Sequence, residues 1–202
     1  MRLTSITTGS APPPAAPAVI PVAVDVTFLR MERPPVGPAP PLPADTRVEH
    51  VLHCSTMFYR YLYFTVGRDY IWWLRRTLSE AELAAIVRHP DVSIHVLYRD
   101  GEPAGFYELD RRGEVGVINL SYFGLMPHAI GKGLGPAFLR HAIDAGWAEG
   151  PRAMTVNTCT ADHPRALPNY LAIGFARLRT VRENWRVPAA LGLPIPARLR
   201  AR

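Results

Sequence analysis

The sequence predicts an α/β protein of the α+β kind, in which an antiparallel meander joins a βαβ unit in one mixed sheet. Three observations carry this reading. Val92, Ile94, Val96 and Tyr98 alternate, Asp100 and Gly101 supply hairpin-turn chemistry, and Ala104 to Leu109 continues as the return strand. Between Gly133 and Glu149, Leu134, Phe138, Leu139, Ala142, Ile143 and Trp147 recur at helical spacing with one apolar face. Apolar strands, Val115 to Leu125 and Ala153 to Cys159, flank that helix, and a strand-helix-strand sequence implies a parallel crossover.

The remaining elements follow in chain order. Alternate Val22, Val24, Val26 and Phe28 mark a strand over 20–31, and a linker follows at Pro34 to Pro43. Met57 to Leu74 is rich in aromatic residues and reads as a helix interrupted near Gly67. Ser79 with Glu82 forms a capping box that opens a short helix, Glu80 to Val87. Arg165 to Ile173 reads as a helix and Phe175 to Trp185 as a last long strand. Gly124, late in its strand, suggests a bulge or the close approach of another group.

Of 21 prolines, 11 lie between Pro12 and Pro43, too dense for a helix or a central strand over most of that stretch. Residues 1–45 are therefore assigned to a proline-rich arm containing the 20–31 strand, 46–190 to the main domain, and 191–202, with Arg198, Arg200 and Arg202, to a basic tail. Prolines 12, 13, 14, 17 and 21 interrupt any signal-peptide core, and no run approaches the roughly 18 apolar residues of a membrane span. Cys54 and Cys159 stand alone, without a disulfide framework or metal-ligand spacing, so a reducing cytoplasm and no metal are expected. The net charge of +6 favours polyanionic ligands, but the basic residues are scattered and carry no nucleic-acid signature. Neither nucleic acid nor a membrane is an expected partner; a homodimer stays open.

The stretch Leu125-Met126-Pro127-His128-Ala129-Ile130-Gly131-Lys132-Gly133-Leu134-Gly135 runs from strand end through a glycine loop into a helix. Backbone N–H groups at such a helix start, uncovered by side chains, form an anion site suited to a diphosphate. Neither a P-loop nor a dinucleotide fingerprint fits, since Pro136 holds the third glycine position.

Over roughly Val92 to Trp185 the chain resembles the GNAT acetyltransferases. Ile130-Gly131-Lys132-Gly133-Leu134-Gly135 matches the loop [Q/R]-x-x-G-x-[G/A], with Ile130 where Gln or Arg is usual. Ala166, Tyr170, Gly174 and Phe175 reproduce A-x-x-x-Y-x-x-x-G-F, with His163 replacing the Asn that often opens it. The resemblance implies a sheet with a splayed central cleft and an acetyl-CoA-dependent N-acetyltransferase that transfers the acetyl group to a primary amine of a small-molecule or peptide partner by direct attack in a ternary complex. It also implies cofactor contacts from Phe123, Leu125, Met126, Ile130 to Gly135, His163 and Tyr170. The alternatives are an acyltransferase using a longer acyl-CoA and a non-catalytic CoA-binding regulatory module.

Within that frame the N–H of Leu125 is the candidate oxyanion donor, its alternative an ordinary ladder amide. Tyr170 is the candidate general acid, since a phenol stays protonated at neutral pH; packing beneath Phe175 is the structural alternative. Glu108, on a half-buried strand, is the candidate base through a water, or else an ion-pair partner of Arg111 or Arg112. His128 and His163 are further base candidates. Tyr63, Tyr70, Trp72 and Trp73 could line an acceptor pocket or belong to the core.

Overall fold

A computed structural model describes residues 17–201, so Pro12 to Pro14 of the arm and Arg202 of the tail lie outside the described residues. The elements are β1 (Val19–Met31), β2 (Thr46–His50), α1 (Thr56–Val66), α2 (Glu80–Val87), β3 (Val92–Arg99), β4 (Glu102–Asp110), β5 (Val117–Leu125), α3 (Leu134–Ala148), β6 (Ala153–Cys159), α4 (Ala166–Ala172) and β7 (Ala176–Pro188). All seven strands form one sheet in the order β2-β3-β4-β5-β6-β1-β7. Only β5 and β6 run parallel, so the sheet is mixed as expected, a meander joined to a βαβ unit.

Successive strand residues point to opposite faces, and Phe106 and Tyr107 of β4 show what covers each. Phe106 meets Tyr59 of α1 edge-on, whereas Tyr107 packs against Phe138 of α3. Helix α1 thus covers one face of the meander and α3 the other. Buried Leu134, Phe138, Leu139, Ala142 and Ile143 form the apolar stripe of α3, as their spacing predicts. At α2, Ser79 Oγ accepts from the Glu82 N–H while Glu82 Oε2 accepts from the Ser79 N–H, so the capping box is present in full.

Strand β1 departs from its assignment to an arm. It lies inside the sheet, antiparallel to β6 on one side and to β7 on the other. Residues 191–201 are not a free tail either. Leu193, Ile195 and Leu199 bury against Val22, Val24 and Val26 of β1, and Val22 bridges Arg200. The two ends of the sequence read as appendages because proline and arginine dominate their composition; their apolar residues nevertheless find each other across the sheet. Strand β2 carried no sequence signal, since Thr46-Arg47-Val48-Glu49-His50 is a short polar edge.

At the opposite edge β7 pairs with β1 alone and exposes residues 176–182 in succession. Arg177, Arg179 and Arg182 there charge a strand edge that would otherwise invite pairing with another chain.

Because β1 is the sole ladder partner of β7 among the described residues, a protein starting at residue 32 should lose both strands from the sheet. We expect no cooperative thermal transition by circular dichroism. A sharp melt near that of the full chain would show β1 to be dispensable.

Candidate active site

The β5–β6 ladder ends early. It pairs Val117 with Ala153 through Leu120 with Val156, and beyond this β6 continues along β1 while β5 stays with β4 alone. A register shift accompanies the departure: Leu109 faces Leu120 but Glu108 faces Tyr122, leaving Ser121 as the bulged residue. The bulge therefore falls at Ser121, not Gly124. Gly124 answers to a close approach instead, because a Cβ there would lie 2.4 Å from Val66 Cγ1 at the end of α1. The result is a cleft splayed between the upper halves of β5 and β6.

Leu125 lines that cleft. The Met126 N–H donates to Ala104 O on β4, so by strand alternation the Leu125 N–H points the other way, where β6 has departed. The amide therefore has no strand partner on that side. Met126 is corrected as a cofactor contact: its side chain is buried, its N–H is spent on Ala104, and its carbonyl accepts from Ala129. Phe123 is half-buried and stacks obliquely on Phe138 of α3.

Beyond β5 the chain turns through Pro127–Ala129 into the loop that starts α3. Gly131 and Gly133 hold φ of +79° and +78°, the left-handed region glycine enters without cost, and a Cβ on either would meet nothing within 4 Å. Open space therefore faces the loop backbone at the N-terminus of a 15-residue helix whose first turn carries no side-chain cap and no acid. Lys132 is exposed beside it, Ile130 is partly exposed, Gly135 lies in the first turn, and Leu134 turns its side chain into the core. Such a cradle fits a diphosphate, held by main-chain amides and the helix dipole.

Tyr170 of α4 is buried at its ring, which meets Phe175 edge-on. Its hydroxyl makes no hydrogen bond among the described residues, yet it is not one of the enclosed unpaired atoms, which are Arg75 Nε and Ser93 Oγ. Burial and the nearby Asp162 charge raise its pKa above the ordinary phenol value, keeping the proton in place. His163 is exposed, and its Nδ1 accepts from the Arg165 N–H at 3.1 Å, a turn-closing role like that of a short polar side chain before a helix. His128 is exposed on the turn that precedes the loop.

Glu108 is placed differently from either sequence expectation. It is 0% exposed, accepts from the Tyr59 hydroxyl at 2.5 Å and from Arg75 at 2.8 Å, and so has no path to an incoming amine. Burial raises its pKa, against the pull of Arg75 and Tyr59. Arg111 and Arg112 pair elsewhere, with Glu149 and Asp110. The turn bearing Arg75 had no sequence signal, since its partner lies 33 residues away.

The four aromatic candidates separate. Tyr63 is core, 1% exposed, its hydroxyl accepting from the Arg75 N–H. Trp73 joins the second core beside β1. Trp72 and Tyr70 reach the cleft: the Trp72 ring packs 5.0 Å from Tyr122 of β5, while its Nε1 donates to Asp162 after β6 at 3.4 Å. Tyr70 packs edge-on against His163. Asp162, which the sequence did not single out as a site residue, thus stands at the cleft. Burial pushes the Cys54 thiol up to about 11 and Cys159 up to about 12, so neither is a thiolate near neutrality. Among the described residues no cluster of three or more His, Cys, Asp or Glu is arranged to hold a metal, and no helix is long and apolar enough to cross a membrane. Two hollows, of about 300 and 260 Å³, lie away from the cleft, between the proline segment and α3 and beside Asp110 and Glu114.

Glu108→Gln should strand a buried guanidinium and cost about 3–5 kcal/mol in urea denaturation. The double change Arg75→Met with Glu108→Leu should recover most of that loss. Equal loss in both variants would mean that the pair's charges do not set its energy.

The fold is similar to solved acetyltransferase structures at identities that speak for the fold alone. A GCN5-related N-acetyltransferase from Sphaerobacter thermophilus aligns with TM-score 0.58 and 15% identity, covering 84% of this chain and 54% of its own. A tandem GNAT protein from the clavulanic acid biosynthesis pathway gives 0.57 and 14%, covering 90% and 61%. A GCN5-related N-acetyltransferase from Kribbella flavida gives 0.53 and 15%, covering 87% and 63%. The chain therefore spans less than two thirds of the length of these three structures. No curated protein matches the sequence. The family model of the acetyltransferase (GNAT) family matches residues 57–175, more than half of the chain and the whole stretch from α1 through the loop to Phe175, and on that ground the chain belongs to the GNAT acetyltransferase family.

Proposed function

We propose that the protein is an acetyl-CoA-dependent N-acetyltransferase that transfers the acetyl group to a primary amine of a small molecule or peptide, by direct attack in a ternary complex. One observation carries this reading: the β5–β6 ladder ends early, so the Leu125 N–H has no strand partner on that side, next to the open glycine cradle that starts α3. Acetyl-CoA supplies a thioester, whose carbonyl carbon accepts the nucleophile and whose thiolate leaves.

The chain's own groups divide the work. Gly131 to Gly135 would hold the diphosphate through main-chain N–H groups, and the net charge of +6 would draw a polyanion inward. Leu125 N–H would donate to the oxygen that gains charge, a fixed donor of a type worth about 3 kcal/mol. Tyr170, protonated near neutrality, would donate to the departing sulfur. No acyl-enzyme is proposed, because neither cysteine is ionised or paired with a base.

The direct test is thiol release from acetyl-CoA across a panel of primary amines; binding without release would point to a non-catalytic module. Tyr170→Phe keeps the ring and should lower kcat about 100-fold, within the range of general acid catalysis, with little change in cofactor affinity. A kcat within twofold of wild type would assign the proton to solvent. Gly133→Asn is the test of the cradle, because asparagine tolerates the left-handed backbone while its side chain enters the open space. The acetyl-CoA dissociation constant should rise at least about tenfold, each tenfold being 1.4 kcal/mol, with the melting temperature little changed. Unchanged affinity in the folded variant would remove the loop from the site.

A further inference from the structure

We infer that Asp162 is the group that receives the acceptor's amine, docking it as an ammonium ion between Tyr70 and Trp72 and taking its first proton, so that the substrate class is cationic primary amines. The inference rests on the acetyltransferase reading and adds to it both the missing base and the acceptor's charge.

Two acidic side chains lie near the cleft, Glu108 fully buried and Asp162 half-buried, and they differ in their partners. Glu108 is neutralised by Arg75 at 2.8 Å. Asp162 makes no ion pair among the described residues. Its hydrogen bonds come from neutral donors only: Thr158 Oγ1 and the Cys159 N–H on Oδ2, both at 2.8 Å, and Trp72 Nε1 on Oδ1 at 3.4 Å. A half-buried carboxylate without a counter-ion is under-compensated, and the three neutral donors hold it in place without cancelling its charge. Oδ1 accepts only the long Trp72 bond, leaving acceptor capacity on that oxygen.

The surroundings suit a cation. Trp72 extends from Asp162 to Tyr122 of β5, spanning the gap that β6 vacates. The Asp162 charge also raises the pKa of Tyr70 and of Tyr170, which places both hydroxyls within its field. Aromatic faces beside a carboxylate attract ammonium groups. Tyr70, Tyr170, Cys159 and exposed His163 are the titratable neighbours, and burial raises the pKa of Asp162 itself, which brings it toward the range useful for a base.

The proton account closes. The ammonium gives one proton to the Asp162 carboxylate, which passes it to water. The freed nitrogen lone pair bonds to the thioester carbon while the C=O π pair moves to oxygen at the Leu125 N–H. Collapse of that adduct breaks the C–S bond, and the thiolate takes the Tyr170 proton. The surplus proton on the new amide nitrogen restores Tyr170, so the products are the acetylated amine, free CoA thiol and one proton.

The test compares wild type with Asp162→Asn on amines that are charged at neutral pH, phenylethylamine and spermidine among them, and on neutral anilines. Wild type should prefer the charged set, and Asp162→Asn should lower kcat/KM for it by about 100-fold and remove that preference, while leaving the acetyl-CoA dissociation constant within twofold. As a binding readout free of turnover, phenylethylammonium should raise the melting temperature of wild type and not of Asp162→Asn. Should Asp162→Asn misfold, Asp162→Glu retains the charge and should keep the preference for charged amines. Anilines used as well as ammonium substrates, or an undiminished preference in Asp162→Asn, would overturn the assignment of Asp162. Wild type that releases no thiol with any amine while binding acetyl-CoA would overturn the acetyltransferase reading instead, and this inference with it.

Discussion

The structure depends on a parallel ladder that stops after four residue pairs. A sheet that continued β5 alongside β6 past Leu120 would satisfy its own amides and leave no polar backbone for a substrate. Three features prevent that. Ser121 bulges and turns the rest of β5, Val66 presses on the backbone at Gly124 where no side chain intervenes, and Trp72 lies across the gap between Tyr122 and Asp162. Buried β-strand amides are normally paired, so the Leu125 N–H, left facing the gap, is an exception that the topology creates.

Holding the gap open requires that α1 and the turn after it stay in register with β4. The Tyr59–Glu108–Arg75 group does this, since it joins α1, β4 and the turn at residues 74–76 through one buried carboxylate. Such a pair contributes little net energy beside an apolar substitute, but it admits few other arrangements of its partners. Gly67 belongs to the same arrangement, because a Cβ there would sit 2.4 Å from Trp72 Cβ and push the indole out of the gap. Glu108 and Asp162, 54 positions apart, hence differ in how their charge is met: the first is buried and paired with Arg75, the second is half-buried and bonded by neutral donors among the described residues.

Much of this was legible in the residues. Periodicity located β3 to β6 and α3, and the Ser79–Glu82 pair fixed the start of α2, because these signals act within a few residues of one another. The glycine loop was legible for the same reason, as φ above zero at Gly131 and Gly133 needs glycine locally. What the sequence could not supply was partnership over distance. Glu108 carried the signature of a buried strand acid, but whether its neighbour is water, Arg111 or Arg75 is decided by how α1 lands on the sheet. The aromatic run 57–74 likewise hides its division, with Tyr63 in the core, Trp73 on β1, and Tyr70 and Trp72 at the cleft. At the N-terminal end alternating valines located the strand over 20–31, but the prolines around it assigned that strand to an arm and not to the interior of the sheet, as arginines assigned 191–202 to a tail.

The placement of β1 has a consequence for how the fold is reached. Its ladder with β6 joins Val26 to Cys159, and its ladder with β7 joins Val19 to Pro188, so the centre of this half of the sheet is built from residues most of the chain apart. Contacts of such separation close late, because loop entropy must be overcome before they contribute. The meander, by contrast, joins neighbouring strands by short turns and can form early. Strand β6 is common to both halves: it meets β5 on one side and β1 on the other. The cleft lies where the locally closed half meets the remotely closed one, so β5 and β6 take their directions from different partners and the gap between them is a property of the topology, which the side chains at Ser121, Gly124 and Trp72 only shape.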